Sequence, residues 1–467
     1  MILCCDFGST FTKLTVIDTD AANIVASARA YTTIETNVTD GYNTALAEIY
    51  KLCGKRDFAT RLAASSAAGG LKMVASGLVP DLTAKASRLA AASAGAKVLK
   101  TYSYELTQDD KAEIEHIAPD IILLSGGIDG GNKDVLLSNA EAIAQTNSNF
   151  CVIIAGNRTA ATEAEALIIK GGKQAVVCEN VMPQFGKLNI EPARNAIREL
   201  FIKNIISAKG LGQVQSYMSA EIIPTPLAIY EAAKLLSQGT QTQPGLGELM
   251  IYDLGGATTD VYSMADGLPA NKNVYVQGLI EPFAKRTVEG DIGMRYSLLP
   301  MMEAISGGGA YLSTSHFSAS HGISETDVNT WLSVCALDPG VLPTGEYAAF
   351  QDIEHALACE AIKISAQRHT GSYERVYTPV GETIVQTGKD LTQIKYVIGT
   401  GGAIINAADP RSILQSAVYS PGDTNLLKPQ SPQLMLDKDY ALAAMGLIAH
   451  KFPQLALRMM KQMLTHI

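Results

Sequence analysis

No apolar run in this sequence reaches the ~20 residues that a membrane span needs. Its most hydrophobic stretches are broken by Gly, Ser, Asp or Lys well before that length. The opening MILCCDFGST has neither a basic segment nor a cleavage site, so it does not read as a secretory leader. Basic charge is also scarce: 37 Lys and Arg stand against 46 Asp and Glu, a net charge of −9. That balance leaves no electrostatic footprint for nucleic acid. The seven cysteines are odd in number and scattered from Cys4 to Cys359. They fit a reducing compartment better than a disulfide framework, and none has a Cys/His spacing that suits zinc. A cytoplasmic protein without nucleic-acid or membrane partners is the expectation.

The 467 residues are too many for one hydrophobic core, so two or three domains are expected. With 47% apolar and 18% charged residues, the chain has the composition of a well-packed globular protein. It opens as strand, tight turn and strand: MILCC, DFGST, FTKLTVID. A strand at NIVASARAY and a helix over YNTALAEIYKLC follow. RLAASSA, AKVLKTYS, DIILLSGG and FCVIIAGN then alternate with helical stretches, which suggests an α/β sheet wound on both faces. Residues 160–245 read as mostly helical. The strand–turn–strand pattern restarts at GELMIYDLGGATTDVYSMADG and runs through further α/β units to KYVIGTGGAII. The Gly-, Ser- and His-rich stretch 306–347 reads as an insertion.

The restart is an internal repeat. Asp6-Phe7-Gly8-Ser9-Thr10-Phe11-Thr12-Lys13 aligns with Asp253-Leu254-Gly255-Gly256-Ala257-Thr258-Thr259-Asp260 at an offset of 253 − 6 = 247. A second pair matches Ile122–Gly127 (ILLSGG) to Val397–Gly402 (VIGTGG) at 400 − 125 = 275. Similar offsets imply a duplicated fold with insertions. In each first motif, Gly at the turn lets backbone N–H groups approach phosphate oxygens. The hydroxyls of Ser9, Thr10, Thr258 and Thr259 can add hydrogen bonds. Asp6 and Asp253, at strand ends, can hold a hydrated Mg²⁺ through its waters, because Mg²⁺ dehydrates reluctantly. The turn Gly399–Gly402 suits close approach to the sugar or base of a nucleotide. A lone Asp-x-Gly turn means little, since Asp and Gly are good turn residues anywhere; three such motifs in this order point to ATP.

These motifs resemble the two phosphate motifs and the adenosine motif of the actin, sugar-kinase and heat-shock-chaperone ATPases. The resemblance implies a duplicated actin-like ATPase (ribonuclease H-like) fold, two α/β domains around a nucleotide cleft. Residues 1–245 would form the first domain, 246–435 the second, and 436–467 helices returning to the first. It also implies that Asp6 and Asp253 organise Mg²⁺, that Thr10 and Lys13 lie in phosphate loop one and Thr258 and Asp260 in loop two. Gly401 and Gly402 would flank the adenosine, and LLSGGIDGG would be an interdomain connector. More narrowly, DFGSTFTKLTVID, LLSGGIDGGNKD, AGNRTA, ENVMPQFGKLNIEPAR, GELMIYDLGGATTDVYS and EPFAKRTVEGDIGMRYS resemble the glutamate-mutase accessory family called GlmL or MutL, unrelated to the mismatch-repair protein of the second name. That resemblance implies an accessory or reactivating ATPase whose partner is an adenosylcobalamin-dependent mutase, methylaspartate (glutamate) mutase.

For the group that orients attacking water, Asp260 and Asp129 are the candidates, and Asp129 reads equally well as a turn or N-cap residue. Glu289 and Asp291 can border the nucleotide or cap the following helix. Lys285 and Arg286 can face phosphate or solvent, and Asn157 and Arg158 can form a cleft pair. Three rivals share the motifs. A small-molecule kinase would use Asp129 as base, and an actin-like filament protein would polymerise with ATP. An iron–sulfur activator of dehydratases would need Cys151 and Cys178 together.

Overall fold

The computed structural model describes residues 1–8, 10–33, 37–66, 72–206, 211–269, 274–306, 313–378 and 381–467. They fall into two compact units. Unit 1 comprises Met1–Ala228 and Gly278–Lys285; unit 2 comprises Ile229–Gln277 and Arg286–Ile467. The first handover thus falls near residue 228, inside a helix, rather than at 245.

Unit 1 begins with β1 (Ile2–Phe7), β2 (Phe11–Asp18) and β3 (Asn23–Tyr31), then helix α1 (Val38–Cys53) and β4 (Thr60–Ser65). The Asn37 side chain accepts from Thr39 N to start α1, and Gly54, at φ 78°, ends it. Next come β5 (Lys72–Gly77), α2 (Lys85–Ser93), β6 (Lys97–Ser103), α3 (Gln108–Ile117), β7 (Ile121–Leu124), α4 (Asp134–Ala144), β8 (Cys151–Ile154), α5 (Arg158–Lys170) and β9 (Gln174–Val177). Finally α6 (Glu191–Ile206) and α7 (Leu211–Gln215) lead to β10 (Ile223–Pro224) and α8 (Thr225–Gln238), whose C-terminal part belongs to unit 2.

These strands make two sheets, not one. The first has order β10-β4-β1-β2-β3, with β1 antiparallel to β2 and parallel to β4. The second, β6-β5-β7-β8-β9, is parallel throughout. Its central strands IILL and CVII are wholly buried apolar runs, as strands covered on both faces must be. One face, with Met73, Leu123 and Ile153, shares a core with Phe7 and Leu14 of the first sheet. The other, with Val74, Ile122 and Ile154, packs on Leu136, Ala140 and Ile168 of its own helices. Ser125-Gly126-Gly127 follows β7, so LLSGGIDGG turns within unit 1 and is not an interdomain connector.

Unit 2 carries β11 (Leu249–Leu254), β12 (Thr259–Met264), β13 (Val274–Gln277) and β14 (Ala284–Glu289), the last beginning in unit 1. Helices α9 (Leu298–Ile305), α10 (Ser313–His321), α11 (Glu325–Leu337) and α12 (Gln351–His369) follow, then β15 (Ser372–Thr378), β16 (Gly381–Thr387) and β17 (Tyr396–Thr400). The chain ends with α13 (Gly402–Ile405), α14 (Pro410–Gln415), β18 (Gln433–Leu436), α15 (Leu442–Ala449), α16 (Pro453–Met463) and β19 (Thr465–His466). The main sheet has order β14-β12-β11-β17-β18-β19, and β13-β16-β15 form a small second one. β11 runs antiparallel to β12 and parallel to β17, and β17 runs parallel to β18.

Strand for strand, β3-β2-β1-β4-β10 and β14-β12-β11-β17-β18 have the same order. The fold is the duplicated ribonuclease H-like core of the actin-like class. The duplication differs from the sequence reading in one respect. The unit 1 counterpart of β17 is β4, which lies beside β1 as β17 lies beside β11; β7 belongs to the other sheet. The described residues of the 306–347 stretch form α10 and α11 and bury Phe317, Val328, Trp331 and Cys335 in the unit 2 core. Residues 436–467 also lie in unit 2 rather than returning to unit 1. There β19 pairs with β18, and Met459 and Met460 are buried. Among the described residues no helix is long and apolar enough to cross a membrane.

Candidate functional site

The two Asp-x-Gly motifs form superimposable hydrogen-bond patterns. In the first hairpin Asp6 lies opposite Lys13 and Phe7 opposite Thr12, and Gly8 N donates to Phe11 O at 3.1 Å. In the second Asp253 lies opposite Asp260 and Leu254 opposite Thr259, and Gly255 N donates to Thr258 O at 3.0 Å. The 247-residue offset therefore holds position by position. A Cβ at Gly8 would sit 2.7 Å from Phe11 O, so the turn itself excludes any larger residue. Thr10 lies half-buried at the first tip, and Gly255, Gly256 and Thr258 are half-buried at the second. Ser9 lies outside the described residues.

The stations differ in charge. Asp6 is buried, and burial pushes its carboxyl above the ordinary value, against the pull of Lys13 and of a hydrogen bond from Thr225. Thr225 Oγ1 donates to Asp6 Oδ1 at 2.6 Å. In hairpin 2, Asp260 is buried and paired with Arg286, whose Nη2 and Nε lie 2.5 and 2.8 Å from Asp260 Oδ1. Thr258 Oγ1 stands 3.5 Å from Asp260 Oδ2. Of the two candidates for orienting water, Asp260 thus sits in the hairpin with its charge compensated. Arg286 is turned inward, and neither it nor Lys285 is solvated surface.

The back of hairpin 2 is held by the segment after β14. Met294 N donates to Gly255 O, and Arg295 N and Tyr296 N both donate to Gly256 O. Ser297 Oγ donates to Ala257 O at 2.6 Å. Thr259, read from sequence as a phosphate ligand, is fully buried and donates instead to Ile292 O at 3.0 Å. Its place beside Leu254 on the inner side of the strand pair turns the hydroxyl away from the tip. Glu289 and Asp291 both accept from Arg368 Nη1, at 3.0 and 2.7 Å, and the residue preceding α9 is Ser297. The two acids fix β14 to the end of α12.

The turn after β17 meets this hairpin directly. Thr400 is in register with Asp253, and Gly401 has φ 90°. A Cβ at Gly401 would lie 2.4 Å from Leu254 O and 2.8 Å from Asp253 Oδ1. Gly399 is close-packed against Ile404 and Leu414, while a Cβ at Gly402 would meet the Asn406 side chain at 3.8 Å, and Gly402 opens α13. Replacing Gly401 by alanine is expected to destabilise unit 2 by about 1–3 kcal/mol, since strain at φ > 0 adds to the collision. A urea titration of the variant measures it. Asp437, which sequence reasoning missed, accepts from Thr400 Oγ1 at 3.0 Å and from Ala441 N and Leu442 N at the start of α15. An aspartate between an apolar strand and a helix is the signal that was available.

Asp129 lies elsewhere, beyond β7 at the end of the parallel sheet of unit 1. Its Oδ1 accepts from Arg158 N at 3.1 Å and Asn180 Nδ2 at 3.0 Å, so it ties the loop after β7 to the start of α5, whose N-cap is Asn157. Asn157 binds the same loop through Gly130 N, Gly131 O and Asn132 O. Cys151 opens β8 and Cys178 follows β9, its parallel neighbour, so the two stand at opposite ends of the sheet. At about 3.3 Å per residue that separates them by roughly 13 Å, too far for one cluster.

A second buried charge group lies in unit 1. Lys85 and Lys285 both pair with Glu281, at 2.8 and 2.7 Å. Burial raises the Glu281 carboxyl, but Lys285 and Lys85 outweigh it and hold it down at about 2. Because this lies below the ordinary 4.5, the stability it confers is complete above pH 4.5 and is lost as pH falls towards 2. Glu281→Gln is expected to flatten the loss of stability over that window, as compared by denaturant titrations at pH 6 and pH 3.

Among the described residues no group of three or more His, Cys, Asp or Glu could cage a metal. Mg²⁺ does not need one, since it keeps waters and takes one or two carboxylates together with phosphate. A strand-end carboxylate beside a glycine turn, present twice, fits that requirement.

Two ribonuclease H-like sheets, each opening on an Asp-x-Gly hairpin, define a protein of the actin-like ATPase fold class. The model of the family described as MutL protein matches residues 2–464. Protein MutL of Clostridium tetanomorphum is 44% identical over 465 residues, covering 99% of this chain and 98% of that protein. The chain belongs to the MutL protein family. Likeness to solved structures is remote. An activator of 2-hydroxyisocaproyl-CoA dehydratase from Clostridium difficile with bound ADPNP is 11% identical, over 99% of this chain and 97% of that one, at a TM-score of 0.33. A ROK family glucokinase from Streptomyces griseus in complex with glucose and AMPPNP is also 11% identical, over 99% of each chain, at 0.31. Scores of this size carry no argument about activity.

Proposed function

We propose that this chain binds Mg·ATP through its two hairpins and serves as an accessory, reactivating protein for an adenosylcobalamin-dependent mutase such as glutamate (methylaspartate) mutase. The nucleotide part is carried by one observation: the Asp-x-Gly hairpin recurs with the same register and the same Gly N–H to carbonyl bond in both units. The backbone N–H of Gly256 and the hydroxyls of Thr10 and Thr258 are the donors for phosphate oxygens, since the N–H groups of Gly8 and Gly255 close the two hairpins. Lys13 adds a positive charge to hairpin 1, and Gly402, exposed at the start of α13, leaves room for the nucleoside, whereas Gly399 and Gly401 are packed against the protein. Asp6 and Asp253 are the residues that would hold the metal ion, which when bound neutralises phosphate charge.

The partner rests on the family resemblance of the motifs. Co-purification from the native host with and without ATP tests it. A mutase subunit is expected to accompany the chain in at least one nucleotide state; its absence from all of them removes the partner assignment while leaving nucleotide binding intact.

A further inference from the structure

The hydrogen bond between Thr225 and Asp6 joins residues 219 apart in sequence, and both side chains are buried. Its position follows from the sheet. β10 lies parallel beside β4, with Pro224 in register with Ser65, and β4 lies parallel beside β1, with Ala64 in register with Asp6. The first residue of α8 is thereby carried to the C-terminal end of β1. A threonine at a helix start ordinarily caps its own helix through a backbone N–H. Here the hydroxyl is donated across the sheet to Oδ1 of the aspartate at the hairpin.

The other half of the duplication shows that this contact is not a by-product of topology. The station after β18, equivalent to the one after β10, is Asp437, and it binds Thr400 and the start of α15. The same place in the fold is thus used to fix a helix in unit 2 and to grip the aspartate in unit 1.

We infer that Thr225 is a positioning residue for Asp6: by holding Oδ1 it fixes the rotation of the carboxylate and leaves Oδ2 to face the waters of a hydrated divalent cation. This rests on the reading of hairpin 1 as a metal-organising element. A hydroxyl donated to one oxygen of a carboxylate selects one rotamer without neutralising the charge. Removing it lets the carboxylate turn, and the cost falls on cation-dependent binding rather than on contacts made by the nucleotide alone.

The test is binding of an ATP analogue to the full chain by calorimetry, in EDTA and over a Mg²⁺ titration, for the wild type, Thr225→Val, Thr225→Ser and Asp6→Asn. Thr225→Val keeps the branched shape and removes the donor. It is expected to raise the Mg²⁺ concentration for half-maximal binding roughly tenfold, near the lower end of what a hydrogen bond to a charged group supplies. Affinity in EDTA should stay unchanged, and Thr225→Ser should restore the wild-type Mg²⁺ dependence. An unchanged Mg²⁺ requirement in Thr225→Val, or a serine variant as impaired as the valine one, overturns the inference. If Asp6→Asn also binds with wild-type Mg²⁺ dependence, the reading of hairpin 1 fails with it. If only Asp6→Asn is impaired, that reading stands and the role of Thr225 falls.

Discussion

Asp253→Asn is expected to weaken Mg²⁺-dependent ATP binding by roughly 10–100-fold, the range for losing a group that orients a metal's surroundings. The side chain ends β11, faces Asp260 across the hairpin and lies in register with Thr400. Asparagine preserves the size of that side chain, so the close approach of Gly401 is left in place. What disappears is the negative charge that would face the hydrated cation. Calorimetric titration with an ATP analogue, with and without Mg²⁺, gives the measurement. Wild-type affinity in the variant, with an EDTA-sensitive wild type as reference, would remove hairpin 2 from the site.

Arg286→Ala should be the most destabilising change at the hairpins. Arg286 and Asp260 are both buried, and their contacts of 2.5 and 2.8 Å leave Asp260 Oδ1 satisfied by the guanidinium. Removing one partner strands a buried charge, which costs about 3–5 kcal/mol. Removing both charges, as in Asp260→Asn with Arg286→Met, should recover most of that loss, because no lone ion remains. Denaturant midpoints for Arg286→Ala and for the double variant decide the matter. Equal stability of Arg286→Ala and wild type would mean that water already reaches the pair.

The hairpins were legible because everything that makes them is local. An apolar strand, Asp, a glycine turn and a second apolar strand specify register and turn within eight residues, so Asp6 and Asp253 could be matched without any tertiary knowledge. The second motif pair misled for the opposite reason. Ser/Thr-Gly-Gly after an apolar strand suits the end of any parallel strand, and the sequence has two such sheets in unit 1. Only the pairing of β4 with β1 identifies the true counterpart of β17, and strand pairing is non-local. Thr259 shows the same limit at the scale of one side chain. Alternation along β12 puts it opposite Leu254, and only the arrival of Ile292 from a distant loop decides where its hydroxyl points. Arg286 and Thr225 were hidden likewise, since their partners lie 26 and 219 residues away.

The opposite charges at the matched stations Lys13 and Asp260 bear on whether the two hairpins are interchangeable parts. Asp260 is paired with Arg286 from a strand outside the repeated motif. Lys13 lies in register with Arg29 of β3, the strand that holds the place of β14. A chain in which Asp253–Asp260 is pasted over Asp6–Lys13 would exchange the lysine for an acid in register with Arg29. Such a graft sets an acid beside an arginine in place of two neighbouring cations, so the charge at this station does not by itself prevent one hairpin from standing in for the other.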